Sequence, residues 1–324
     1  MHKIFISLFL LLSFASHAAL NDIKRIAFGS CNDQNDAQPL WKDVVEQKPD
    51  LWIWGGDAVY GDWKTTKALE EAFKLQNSKV DYQNLKSSVP MIGTWDDHDY
   101  AFDNADGTLT TKEASKKLYL DFVGEPANSP RRTREGIYTS YDFKSGGKTV
   151  KVILLDNRYF KNLDPAAPLL GKAQWEWLEE ELKNSTASLH FFVTGLSIFS
   201  PLIRYTEEWG HYPKELNRLR ALMTKYNPKG RVFLTGDKHF SSMFMRGGEL
   251  EFMSSGMTHT VPRKVWWYLA RKYATTFFGL AYGQIDIEWE GENPVIHMAM
   301  RGVAGRDLHP NTYRWNKTKW EWLK

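Results

Sequence analysis

Four short apolar runs in this chain each stop at a cluster of glycines and potential ligand residues, and this punctuation constrains the fold more than any other feature. Residues 25–28 lead into Gly29-Ser30-Cys31, and residues 51–54 into Gly55-Gly56-Asp57-Ala58-Val59-Tyr60. Residues 89–92 lead into Gly93-Thr94-Trp95-Asp96-Asp97-His98-Asp99, and residues 231–234 into Thr235-Gly236-Asp237-Lys238-His239. Unbroken apolar runs of this length read as strands buried on both faces. In open α/β sheets, ligands bind beyond the carboxyl ends of the strands. Four such ends carrying Cys, Asp, Tyr and His predict one convergent polar site, of the kind a metal-dependent hydrolase needs.

The spacing between the runs predicts helices over residues 37–47, 65–76, 82–86, 111–122, 171–182 and 213–225. Residues 136–143 and 149–156 read as a hairpin about the turn signal Ser145-Gly146-Gly147. Further strands are expected at 189–194, 250–255, 282–289 and 294–300. An order that begins βαβα and ends mainly β fits layered sheets with helices outside.

The first residues read as a leader. A basic start, Met1-His2-Lys3, precedes an apolar stretch over 4–14 and a small-x-small site at Ser16-His17-Ala18. The apolar stretch is far below the roughly 20 residues of a membrane span. Residues 1–18 are therefore expected to be a signal peptide and 19–324 one domain, periplasmic or secreted. Loss of Lys3 with the leader takes the formal charge from +3 to +2. A near-neutral chain gives no electrostatic case for nucleic acid as a partner. The single cysteine, Cys31, has no mate for an internal disulfide. In an oxidising compartment such a thiol is a liability unless buried or bound.

Asp57 follows two glycines, so a cation can approach without a bulky neighbour intruding. Its two oxygens could bridge a metal pair, which in phosphoryl transfer stabilises attacking and leaving oxygens together. The tyrosine three residues on, Tyr60, supplies a phenolate, a ligand for ferric iron. Asp96, Asp97 and Asp99 with His98 place three acids and an imidazole in four residues after a buried strand. Carboxylates so concentrated repel one another without cations, and hard oxygen donors suit calcium, magnesium or manganese. His98 either binds metal or protonates a leaving oxygen. If strand geometry continues, Asp237 and His239 share a face and Lys238 points away. Arg158, in Asp156-Asn157-Arg158, offers a fork of donors for phosphate, and Asn32 could reach metal or phosphate. The stretch Glu207-Glu208-Trp209-Gly210-His211-Tyr212-Pro213 is either a wall over the substrate, with Trp209 and Tyr212 in it, or a packed loop. The apolar stretch 265–278 is either a core helix or a surface for lipid.

Taken together these pieces resemble the alkaline phosphatase D (PhoD-like) family of the metallophosphoesterase superfamily. The resemblance rests on Gly29-Ser30-Cys31, Gly56-Asp57 with Tyr60, Trp95-Asp96-Asp97-His98-Asp99, Leu155-Asp156-Asn157-Arg158, Leu170-Gly171 with Gln174 and Trp177-Leu178, Glu208-Trp209 with Tyr212-Pro213, and Gly236-Asp237-Lys238-His239. It implies a four-layer α/β/β/α sandwich and hydrolysis of phosphate monoesters or diesters outside the cytoplasm. It implies Fe3+ and Ca2+ as cofactors, with another divalent metal an alternative. Carried over by position, Cys31 and Tyr60 bind the iron and Asp57 bridges. Asp96, Asp97, Asp237 and His239 complete the ligands, with His98, Arg158 and Asp57 catalytic. Asn157, Asn32, Trp209 and Tyr212 join Arg158 around the substrate. The chain departs from the family at Asp99, usually Glu, and at Asn157 and His211. It is also expected to do without the separate N-terminal β-domain common there, since the core motifs begin right after the leader. The expected partner is a small-molecule or lipid phosphate ester, met by a monomer with no transmembrane span. Alternatives are a phospholipase- or nucleotide-type phosphodiesterase on this fold and, from another class, a non-catalytic secreted glycan or lipid binder, suggested by the 14 tryptophans.

Overall fold

A computed structural model describes residues 22–323, apart from 62–64, 165, 201–205, 263 and 265–274. The expected leader and most of the apolar stretch 265–278 lie outside the described residues. Two seven-stranded sheets face one another, each backed by helices. The first has the order β14-β13-β12-β11-β1-β2-β3 and the second β10-β8-β9-β7-β6-β5-β4.

In the first sheet β1 (Arg25–Gly29), β2 (Leu51–Gly55) and β3 (Met91–Thr94) run parallel. Between them lie α1 (Trp41–Gln47), α2 (Thr66–Asn77) and α3 (Val80–Ser88), the crossovers that parallel strands require. Two more helices, α4 (Asp97–Tyr100) and α5 (Lys112–Phe122), follow β3. The antiparallel strands β11 (Ala281–Glu290), β12 (Asn293–Gly302), β13 (Arg306–Asn316) and β14 (Lys319–Leu323) extend this sheet from β1.

In the second sheet β5 (Lys148–Leu154), β6 (Leu189–Val193), β7 (Arg231–Thr235) and β9 (Glu249–Ser254) are parallel neighbours. They are flanked by antiparallel β4 (Thr139–Ser145) on one side and β8 (Ser241–Arg246) with β10 (Thr275–Phe277) on the other. The helices α6 (Lys172–Asn184) and α7 (Pro213–Tyr226) cover its outer face. The β4–β5 hairpin turns on Gly146 and Gly147, at φ 54° and 79°. Two consecutive left-handed residues form the tight turn that matches strand twist.

Period-two alternation sorts the core into layers. Leu51 and Ile53 of β2 face the second sheet, packing with Val152, Leu154, Phe191, Val193 and Leu234. Trp52 and Trp54 face the helices, packing with Trp41, Tyr82, Tyr119 and Phe122. Large aromatics fill the gap between sheet and helix. β2 is buried on both faces, which is why it reads as an unbroken apolar run, and β6 is equally buried with His190 as its polar residue. The hydroxyl of Thr94, ending β3, donates to the Leu155 carbonyl beyond β5 at 2.7 Å, tying the two sheets together where the carboxyl ends of β1, β2, β3, β5 and β7 open into loops.

Candidate metal centre

The loops beyond these strands hold an unusual backbone. Cys31, Asp57, Asp237 and His239 lie in the left-handed region, at φ 59°, 51°, 72° and 58°. Each such non-glycine residue costs on the order of 1–3 kcal/mol, and such residues gather at functional sites. Left-handed turns aim these side chains inward. They also break the strand alternation expected after β7, which ends at Thr235. Lys238 therefore is not turned clear of Asp237: it is buried, with Nζ 2.6 Å from Glu208 Oε2 and 3.4 Å from Asp237.

Around Asp57 the predicted ligands meet. The Tyr60 hydroxyl donates to Asp57 Oδ2 at 2.8 Å and lies 3.0 Å from His239 Nε2. The Cys31 thiol lies 3.6 Å from the same carboxylate oxygen and 3.0 Å from Ser255 Oγ. The His98 amide donates to Asp57 Oδ1 at 3.3 Å. Oxygen atoms of Asp57, Asp96 and Asp97 lie within 4.8 Å of one another. The rings of Tyr60 and His98 stack at 4.2 Å.

Further buried carboxylates set the turns. Asp99 accepts from the amides of Ala58 and Val59 at 2.9 and 3.2 Å and from that of Asp96 at 3.2 Å, locking the Asp57 turn to the Asp96 turn. Asp156 accepts from the Trp95 indole at 2.7 Å, and from the amides of Ile137, Arg158 and Tyr159. Asp96 is wedged between two glycines. A Cβ on Gly56 would come 2.5 Å from its Cβ, and one on Gly195 would come 2.5 Å from its Cγ. Both positions demand glycine for close approach.

Arg158 is wholly buried at the junction of this centre with a charged network. Its Nε donates to Asp96, and its NH2 lies 3.6 Å from Asp97 Oδ1. Its NH1 donates to Glu207 Oε2 at 2.5 Å, and Lys161 Nζ pairs with the other Glu207 oxygen.

The remaining candidates sit further back. The hydroxyl of Thr194 donates to Asn157 Oδ1, and the Asn32 amide donates to Gln76 Oε1 at 2.9 Å. Trp209 is fully buried, with its indole 3.3 Å from Thr194 Oγ1, and the Tyr212 hydroxyl donates to the Asn162 carbonyl at 2.9 Å. Of the two expectations for that stretch, the packed loop describes these side chains. Sequence reasoning missed Glu207 and Lys161 as partners of Arg158, and it missed His259. The His259 ring packs 4.6 Å from both Tyr60 and His239. The one available signal was its place in the loop after β9, beside Ser255.

Charge explains what this cluster needs. Burial, reinforced by Asp97 and Cys31, pushes the Asp57 carboxyl well above the usual range. Burial likewise pushes the Cys31 thiol up to about 11 and the Tyr60 phenol upward. Burial takes Asp96 to about 6 and Asp237 to about 7, against the pull of Arg158 and Lys238 respectively. For Asp97, Arg158 and His98 outweigh burial and lower it. Burial lowers His239, and takes His259 to about 4. Buried acids held neutral in this way become anions when a cation sits among them. Asp96 Oδ2 and Asn32 Oδ1 are buried with no hydrogen-bond partner among the described residues. Carboxylates, a phenol, a thiol and an imidazole around these orphaned oxygens fit a metal.

Comparison with known proteins agrees with this geometry. The family model for PhoD-like phosphatase matches residues 26–247. The chain is 25% identical over 272 residues to alkaline phosphatase D of Bacillus subtilis, a match covering 66% of this chain and 46% of that protein. The chain thus spans about half the length of that curated relative. A solved structure of PhoD superposes with a TM-score of 0.75 at 17% identity, covering 95% of this chain and 73% of the other. The purple acid phosphatase PPD1 of yellow lupin superposes with a TM-score of 0.61 at 11% identity, over 91% of this chain and 54% of the other. These likenesses bear out the expected α/β/β/α sandwich. The match over residues 26–247, together with the strand-end motifs it contains, places this chain in the PhoD-like phosphatase family.

Proposed function

We propose that this protein is a metal-dependent phosphoric ester hydrolase acting on phosphate monoesters or diesters. The observation that carries the reading is the convergence of Cys31, Asp57, Tyr60, Asp96, Asp97 and His239 on one buried centre. Asp237 completes the set from the left-handed turn it shares with His239. The donor chemistry supports a ferric site at Tyr60, Cys31 and Asp57 and a calcium site among carboxylates, since phenolate suits iron and hard oxygens suit calcium. When bound, such a pair activates water and neutralises charge on the phosphoryl oxygens.

The protein's own groups supply the rest. Asp57 would hold the metals, its Oδ2 accepting from the Tyr60 hydroxyl and its Oδ1 from the His98 amide. His98, oriented by stacking on Tyr60 and by the Gly61 carbonyl 3.3 Å from Nδ1, gives a proton to the leaving oxygen. Arg158 fixes Asp96 and Asp97 and offers its guanidinium to phosphate. Phe102 and Leu163, 45% and 68% exposed, lie on the loops that carry Asn104 and Lys161. They favour an ester with an apolar group, a phospholipid diester included. The reading takes residues 19–324 as one domain and residues 1–18 as an export signal. Among the described residues, no helix is long and apolar enough to cross a membrane.

The test uses protein beginning at residue 19, assayed on p-nitrophenyl and bis-p-nitrophenyl phosphate with metal analysis of the same sample. Turnover that is abolished in Asp57→Asn, together with its metal, is the expected outcome. Full activity of that variant would sink the reading. A visible tyrosinate-to-iron band, lost in Tyr60→Phe, checks the ferric assignment.

A further inference from the structure

Glu207 shows which anion the buried cations are built to hold. Its two oxygens are taken by two different cations, Arg158 NH1 and Lys161 Nζ, and the side chains of both cations are completely buried. The carbonyls of Ala105 and Asn104, 3.4 and 3.1 Å away, hold these two groups from behind. Arg158 is held as well by Asp96, and Lys161 by the Asn104 carbonyl, so neither cation depends on the Glu207 carboxylate alone. Arg158 NH2 is also buried, with no hydrogen-bond partner among the described residues. Its nearest acceptor is Asp97 Oδ1 at 3.6 Å, an ion pair without a hydrogen bond, so the guanidinium has capacity for one more acceptor. Glu207 is the member nearest solvent, at 14% side-chain exposure against zero for its partners. Lys238 Nζ, 2.5 Å from the Glu207 carbonyl, pins its backbone, so the side chain is the part able to move.

We propose that Glu207 is a resident anion in an oxyanion pocket formed by Arg158 and Lys161, and that a phosphoryl group competes with it for these two cations. A phosphoryl group presents oxygens spaced much as a carboxylate does, with one to spare for Arg158 NH2. Because Arg158 also holds Asp96 and Asp97, the pocket borders the candidate metal centre. Glu207 then sets how tightly substrate and product are held. The inference rests on the hydrolase reading for the identity of the anion.

Calorimetric titration of inorganic phosphate into protein purified with its metals tests this directly. Glu207→Gln removes the competing charge and keeps the shape. It is expected to bind phosphate about ten- to a hundredfold more tightly than wild type, the worth of a charged hydrogen bond. Adding Lys161→Met to that variant is expected to reverse the gain. Equal affinity in wild type and Glu207→Gln, or a gain that survives Lys161→Met, overturns the proposal. If Glu207→Gln fails to fold, Glu207→Asp replaces it, with a smaller gain in the same direction expected and unchanged affinity overturning the proposal. If no variant turns over either ester while Glu207→Gln still gains phosphate, the pocket stands and the hydrolase reading falls.

Discussion

Asp57, Asp96 and Asp237 are held partly protonated by burial, and this has a measurable consequence for stability. Their folded pKa values are raised above the unfolded value of about 3.9. The stability they contribute is full below that value and is lost as pH rises through about 6 for Asp96 and about 7 for Asp237. Metal-stripped protein should therefore melt at a lower temperature at pH 8 than at pH 5. The loss is on the order of a few kcal/mol, and restoring the metal should remove it. Thermal melts with and without chelator check this, and a stripped protein equally stable at both pH values would contradict it. The candidate ligands on this list were legible because each follows a buried strand and most sit beside glycine. Glu207 and His259 were not, because a charged or aromatic residue in a loop has no periodicity, and their partners lie far away in sequence. Strand alternation does not reach Lys238, because β7 ends at Thr235 and left-handed backbone follows at Asp237.

At the scale of elements, buried carboxylates act as pins for the loops that carry the candidate ligands. Asp156 gathers four donors from three segments, and Glu251 accepts from the hydroxyls of Ser197 and Thr235 and the amides of Ile198 and Phe199. Asp156→Ala orphans four buried donors at about 1–3 kcal/mol each before relaxation. Urea denaturation should show a loss of several kcal/mol, with Asp156→Asn recovering part of it. Most helices and the parallel strands followed from apolar spacing. The elements missed were α4, of one turn, and β8, β10, β13 and β14. The sequence of β13, RDLHPNTYRWN, is polar, interrupted by Pro310 and largely unburied, so the strand gains its form from pairing with β12 rather than from its own pattern.

Across the whole molecule, the C-terminal hairpin closes one end of the sandwich. Trp320 of β14 reaches the other sheet, its indole donating to the Arg231 carbonyl and its amide to the Gly248 carbonyl, both at 2.8 Å. Arg231 begins β7, the strand whose opposite end leads to Asp237. Trp320→Ala should cost about 3–5 kcal/mol of stability and leave metal content unchanged, read by denaturation and metal analysis on the same sample. Tryptophan content alone had suggested a ligand-binding surface. In the fold Trp41, Trp52, Trp54, Trp95, Trp175, Trp209, Trp315 and Trp320 are all fully buried, so most of that content is spent on packing. Composition could not reveal this, because burial depends on how the layers meet.

The left-handed backbone at Cys31, Asp57, Asp237 and His239 sets this protein's capacity for improvement against its chemistry. At these positions glycine is the residue the main chain prefers. Replacing any of them with glycine relaxes a turn and takes away a side chain of the candidate metal centre in the same stroke. A population of variants selected for heat resistance alone would drift toward glycine at these sites. It would arrive at a sturdier sandwich with an empty summit.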